Sequence, residues 1–170
     1  RPDLPAHFVW VGGDNSGPAI EALQYDAARL GLQSRIHFVG PKADPLPYFA
    51  LFDVFLLTSR EDPFPLVALE AAALGLPIVC FQDAGGMPEF VGSDAGVVVG
   101  YLDIPATASA IARLADSPDV RARLGQRAVA RLLTGHTIEV AGTQIRHVVE
   151  TYFDRRVSSS ACPSRTNRVP

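Results

Sequence analysis

Short apolar runs alternate with helical segments through the N-terminal part of the chain, and that alternation restricts the folds open to it. Phe8-Val9-Trp10-Val11, Ile36-His37-Phe38-Val39, Val54-Phe55-Leu56-Leu57, Ile78-Val79-Cys80-Phe81 and Val97-Val98-Val99 each read as a strand. Continuously apolar strands are buried on both faces, as in parallel sheets. Between them the spacing predicts helices over 18–30, 46–52, 66–74 and 88–91. In the first, Ile20, Leu23, Ala27 and Leu30 recur at the helical period and Gly31 stops it. Strand–helix–strand repetition builds βαβ units with right-handed crossovers. The expected fold is α/β, a doubly wound parallel sheet.

From about Pro105 the chain turns helical, with helices expected over 106–115, 118–133 and 137–153. Ser117-Pro118-Asp119 is a strong start for the second of these. Its arginines, Arg121, Arg123, Arg127 and Arg131, read as a solvated face. The expected organisation is a short leading linker over 1–6, one domain over 7–156 and a disordered tail over 157–170.

Composition excludes several function classes. A net charge of −3 argues against a nucleic-acid binder, which shows a basic face. Cys80 sits in an apolar strand and reads as an inert core thiol, while Cys162 lies in the polar tail. His7, His37, His136 and His147 have no metal-ligand spacing. No apolar run is long enough to span a bilayer and no signal peptide heads the chain, so a reducing, cytoplasmic setting is expected.

In open α/β sheets, ligands bind beyond the carboxyl ends of the strands. Loops 12–17, 40–45, 59–65 and 82–88 share that edge. The third leads into the run Arg60-Glu61-Asp62-Pro63-Phe64-Pro65, and the helix after it carries Glu70. A carboxylate accepts two hydrogen bonds from vicinal hydroxyls such as those of a ribose. The free N–H groups of a first helical turn favour phosphate. The same acids could equally complement the helix dipole, with Glu70 on the surface. The neighbours Leu66, Val67, Leu69 and Ala71-Ala72-Ala73 predict a helix sandwiched between layers, where an acid needs a partner. Gly12-Gly13 and Gly17 faintly echo a dinucleotide fingerprint. The acid expected at the end of the next strand is missing, because that strand ends Val39-Gly40-Pro41.

From Ser59 to Val91 the order is Asp62-Pro63-Phe64-Pro65, Glu70, Ala71 through Gly75, Pro77-Ile78-Val79 and Gly85-Gly86-Met87-Pro88-Glu89. It resembles the donor-binding signature of the retaining GT-B glycosyltransferases of group 1, the GT4-type enzymes. Their pattern has an acid, Gly-Phe-Gly, a second acid eight positions after the first, a small-residue helix, Gly-x-Pro-Val-Val and Gly-Gly-x-Pro-Glu, and the likeness spans roughly His7 to Phe153. The resemblance implies that Glu70 holds the donor ribose hydroxyls and that Asp62 faces the transferred sugar and reaction centre. Glu61 beside it competes for the Asp62 role. The amides of Phe64 and Leu66 would approach the sugar or diphosphate, and Pro41 and Lys42 would lie near the base. Gly85 and Gly86 would let the backbone pass close to the site, although a plain turn is equally open. Ser59, Gly12 and Gly13 join the donor-binding set on the same edge. Pro63 and Pro65 replace both family glycines and delete two N–H groups.

The resemblance also implies parts outside these residues: an earlier strand, an Arg and a Lys that grip the diphosphate, and an acceptor-binding domain. The expectation is a donor-binding half of a glycosyltransferase, inactive alone. Its donor would be a UDP-, GDP- or ADP-sugar, with no obligatory cofactor or metal. Its acceptor would be a glycan or lipid, reached through an N-terminal domain. The full-length protein is expected in the cytoplasm, or peripheral at a membrane, with no transmembrane segment. The competing expectations are a non-catalytic nucleotide-binding or scaffold domain of the same fold, a dinucleotide-binding oxidoreductase module and, less favoured, a nucleotide-sugar epimerase.

Overall fold

The computed structural model describes residues 6–13 and 16–159, the last six of these as helical backbone only. Most of the expected linker and residues 160–170 of the expected tail lie outside the described residues. The chain divides into two compact units, one ending at Arg131 and one beginning at Leu132.

The first unit holds the strands β1 (Phe8–Val11), β2 (Ile36–Gly40), β3 (Phe55–Leu57), β4 (Ile78–Phe81) and β5 (Gly96–Val99). Between them run α1 (Pro18–Arg29), α2 (Leu46–Phe49), α3 (Leu66–Ala73) and α4 (Met87–Val91), followed by α5 (Ile104–Ala115) and most of α6 (Pro118–Gly135). Every strand pairing is parallel, as alternating strands and helices require. Hydrogen bonding groups the strands into two sheets, β1–β2 and β3–β4–β5.

β4 lies at the centre of the larger sheet, and its four residues are all buried. Val79 and Phe81 join Val99, Ala110, Leu114 and Leu124 in one core cluster, so α5 and α6 cover that face. Side chains alternate across a strand, so Ile78 and Cys80 turn to the other face. α3 and α4 also pack against β4. The expectation of strands buried on both faces therefore holds for β4 and fails for β1. Phe8 is 42% exposed and Trp10 52%. Phe8 and Trp10 are two residues apart and so share one face of the strand, and that face is not covered among the described residues. His7 Nδ1 and His37 Nε2 lie 3.0 Å apart beside these two strands. Their ring centroids are 5.3 Å apart and their planes within 19°, so this is a nearly in-plane hydrogen bond joining the strands.

Helix limits differ from expectation where a local bond decides them. α5 begins at Ile104 because the Asp103 carboxylate accepts from the Ala106 N–H at 2.8 Å and Pro105 suits the first turn. Arg121, read from sequence as part of a solvated face, is instead bonded to the fold. Its guanidinium donates to the carbonyls of Leu114 and Ala115 at 2.6 and 2.9 Å and pairs with Asp53 at 3.1 Å. The last turn of α5 leaves its carbonyls short of helical partners: Leu114 also accepts from the Ser117 N–H at 3.3 Å, and the single nitrogen Nη1 of Arg121 donates to it and to Ala115 while Nη2 pairs with Asp53. The second unit contains α7 (Ile138–Ser159). The Thr137 hydroxyl accepts from the Val140 N–H at its start. α7 continues beyond Arg156 into the stretch expected to lack structure.

Burial alone pushes the Cys80 thiol from its ordinary 9.0 up to about 11. As pH rises, the unfolded chain therefore loses this proton first. The contribution is whole below pH 9 and is lost between pH 9 and about 11. Native protein at pH 8 should react with iodoacetamide at Cys80 far more slowly than urea-unfolded protein. Thermal stability should decline through that alkaline window by more in the native sequence than in Cys80→Ala. Equal alkylation rates in the two states would contradict the buried thiol.

Candidate active site at the mouth of α3

β3 ends at Leu57, and the loop after it reaches α3 past Ser59, Glu61, Asp62 and Phe64. The loop is held by the segment that follows β4. The Asp62 N–H donates to the Ala84 carbonyl at 2.9 Å and the Gly86 N–H to the Pro63 carbonyl at 2.8 Å. Asp62 and Gly85 thereby form an isolated parallel bridge that extends the β3–β4 pairing past the strand ends. Glycine is required here. A Cβ on Gly85 would lie 1.7 Å from the Asp62 carbonyl oxygen, and its φ of +132° disfavours any side chain. A Cβ on Gly86 would lie 2.8 Å from the Pro63 oxygen and 2.7 Å from the Phe64 ring. The backbones at 62–63 and 85–86 thus run against each other with no room for a side chain between them.

Phe64 packs edge-to-face on Phe90 of α4, with centroids 6.4 Å apart. It is half-buried, as are Asp62 and Ser59, whereas Glu61 is exposed. Pro65 caps α3 in an extended conformation, and no side chain accepts from the helix start. The first-turn N–H groups at Leu66 and Val67 thus meet no side-chain cap. Ala68, Ala71 and Ala72 form the buried stripe of α3. Leu66, Glu70 and Ala73 share the opposite stripe, at i, i+4 and i+7, and all three are exposed.

That stripe corrects one expectation. Glu70 is not enclosed between layers, and among the described residues no ion pair or hydrogen bond engages its carboxylate. The alanines bury one side of α3 and leave Glu70 on the open side, one turn beyond Leu66. Its carboxylate can therefore accept hydroxyl groups at the helix mouth without first giving up a protein partner.

The other sequence-selected residues lie on the β1–β2 sheet. Gly12 and Gly13 follow β1 with φ of +106° and +68°, and the Gly12 N–H donates to the Gly40 carbonyl at 2.9 Å. Pro41 and Lys42 follow β2 and are exposed, with the Lys42 ammonium 5.5 Å from the Tyr48 ring centroid. Among the described residues none of these four makes a hydrogen bond or ring contact with the Asp62–Gly86 cluster. A cleft of about 830 Å³ lies elsewhere, lined by Phe8, Ile36, Ile111 and Ala112 among others, and includes neither Asp62 nor Glu70. Sequence reasoning missed the Ala84 carbonyl and the Phe90 ring. The Gly85-Gly86 pair was the signal that something lay close by.

Fold and site define an α/β domain of parallel βαβ units, with its candidate chemistry in the loops at the carboxyl ends of strands. The family described as glycosyl transferases group 1 matches residues 1–117. A lipopolysaccharide core biosynthesis glycosyltransferase, LpsE of Rhizobium meliloti (strain 1021), is 32% identical over 124 residues, covering 73% of this chain and 36% of that relative. The D-inositol 3-phosphate glycosyltransferase of Streptomyces scabiei (strain 87.22) is 36% identical over 137 residues, covering 76% of this chain and 30% of that protein. Among solved structures, Anabaena HepE in complex with UDP superposes with a TM-score of 0.79 at 25% identity, covering 86% of this chain and 41% of that one. Sucrose-phosphate synthase from Thermosynechococcus elongatus gives 0.77 at 26%, covering 86% and 38%. This chain belongs to the group 1 glycosyltransferases, and its structural neighbours are GT-B enzymes. It spans about a third of the length of the curated relatives it matches.

Gly85→Ala should destabilise the fold by about 1–3 kcal/mol, because backbone must move to admit the methyl group. Urea unfolding measures this. A midpoint equal to that of the native sequence would contradict the close approach at Asp62.

Proposed function

We propose that this chain is the donor-binding half of a retaining, GT4-type glycosyltransferase. In this reading the nucleotide-sugar lies across the mouth of α3. Glu70 accepts the two ribose hydroxyls, and the amides of Phe64 and Leu66 face the sugar or diphosphate. Asp62 faces the transferred sugar, with Glu61 the alternative acid for that role. Gly85 and Gly86 admit the backbone beside it. Ser59, Gly12, Gly13, Pro41 and Lys42 complete the donor side, the last two toward the base.

The observation that carries this reading is the pairing of an uncapped α3 start with an unengaged Glu70 one turn along the same open stripe. A first-turn N–H group favours a phosphate oxygen, and a carboxylate one turn further on favours vicinal hydroxyls. The spacing between them suits one ligand carrying both. Asp62 and Phe64, pinned from behind by the post-β4 segment, give that ligand a fixed wall. HepE has been solved with UDP, with UDP and glucose, and with UDP-glucose, which supports a uridine nucleotide as the first ligand to try.

Transfer would proceed from a UDP-, GDP- or ADP-sugar with retained anomeric configuration. Backbone dipoles and basic groups would stabilise the leaving diphosphate without an obligatory metal. The acceptor, a glycan or lipid, would be held by a separate N-terminal domain of the longer protein, working in the cytoplasm or at a membrane surface. Among the described residues no helix is long and apolar enough to cross a membrane. The chain alone should transfer no radiolabelled sugar, and incorporation into acceptor without a partner would refute the half-enzyme reading.

Calorimetric titration with UDP, GDP and ADP tests the site. One of the three should bind, and Glu70→Gln should weaken it about 10- to 100-fold through the lost charge-assisted hydrogen bonds. Failure of all three would favour a scaffold domain of the same fold.

A further inference from the structure

α4 has five residues, too few to hold a helix by its own hydrogen bonds, so its place is set by the packing of Met87, Phe90 and Val91 on β4 and β5 and by the polar groups that grip its two ends. Its beginning is tied to the candidate site through Gly86 and Pro63, and through Asp62 and Ala84. Its middle touches the site through Phe90 and Phe64. Its end is held by a residue remote in sequence. Arg131 of α6 donates through Nη1 to the Phe90 carbonyl at 2.8 Å and the Glu89 carbonyl at 3.3 Å. Nη2 pairs with the Asp94 carboxylate, which Arg127 also approaches at 3.9 Å. Gly92 leaves room for this fork, since a Cβ there would lie 2.6 Å from Nη1. α6 is itself anchored in the core by Leu124, Gly125 and Ala128.

We infer that Arg131 is a positioning residue for the donor site: by clamping the end of α4 it fixes the register in which Gly85–Gly86 meets Asp62–Phe64. The last carbonyls of a helix lack intrahelical partners, and a guanidinium is the side chain that can bind two of them while pairing with a carboxylate. Without the fork, α4 keeps its buried packing on β4 and β5 through Met87, Phe90 and Val91 and its contacts at the site end, but loses the polar hold on its last carbonyls. Arg131 acts through α4 and touches no ligand. The inference rests on the donor-site reading for its functional consequence, but its structural content can be tested without any nucleotide.

The test uses hydrogen exchange followed by NMR on the chain and on Arg131→Met, Arg131→Lys and Asp94→Asn. In Arg131→Met the Asp62 and Gly86 amides should exchange ~10-fold faster or more, while the amides of β4 keep their native protection. Arg131→Lys should restore part of the protection, because it keeps the cation but not the fork. Asp94→Asn should give a smaller rise at the same two amides, and it carries the test if Arg131→Met does not fold. In parallel, UDP affinity should fall in the order native, Arg131→Lys, Arg131→Met. Unchanged exchange at Asp62 and Gly86 would overturn the inference. So would an equal rise throughout β4, which would mark Arg131 as a general stabiliser. If the native chain binds no UDP but the two amides respond as stated, the donor reading fails and the clamp stands.

Discussion

The structure around the site depends on one contact between backbones, the bridge from Asp62 to Gly85. Two hydrogen bonds hold it, and both exist because neither glycine has a side chain to separate the segments. The bridge carries the β3–β4 pairing beyond the strand ends and turns a long loop into a wall for the start of α3. It also places the half-buried Asp62 beside a helix mouth with no side-chain cap.

Around that bridge the fold supplies rigidity in layers. β4 is buried along its length, and the cluster under α5 and α6 secures one face of its sheet. Two arginines of α6 then act at a distance from the core. Arg121 donates to carbonyls at the end of α5 and Arg131 to carbonyls at the end of α4, where helical partners run out. The first link is local, six and seven residues back along the chain, whereas the second joins α6 to carbonyls 41 and 42 residues away in sequence.

The sequence made the strand–helix alternation legible because parallel strands must be apolar and their crossovers must be amphipathic. It singled out the loop between β3 and α3 as a candidate through the order of Asp62, Glu70 and Gly85-Gly86. It misjudged Glu70, because a run of alanines and leucines reads as enclosed whether a helix is covered on one side or two. Ala68, Ala71 and Ala72 form a single buried stripe, and Glu70 falls outside it. The arginines of α6 read as a solvated face because charge patterning along one helix says nothing of open carbonyls on another. β1 looked like a buried strand, yet the exposure of Phe8 and Trp10 depends on what covers that face of the strand, and no short run of residues encodes that.

The central claim is that a nucleotide-sugar seats at the α3 mouth, and an NMR titration of the chain with UDP tests it most directly. The account predicts that the largest amide shifts fall at Phe64, Leu66, Val67, Glu70, Gly85 and Gly86. Shifts concentrated instead at the cleft lined by Phe8, Ile36 and Ile111, with the α3 amides unmoved, would contradict it.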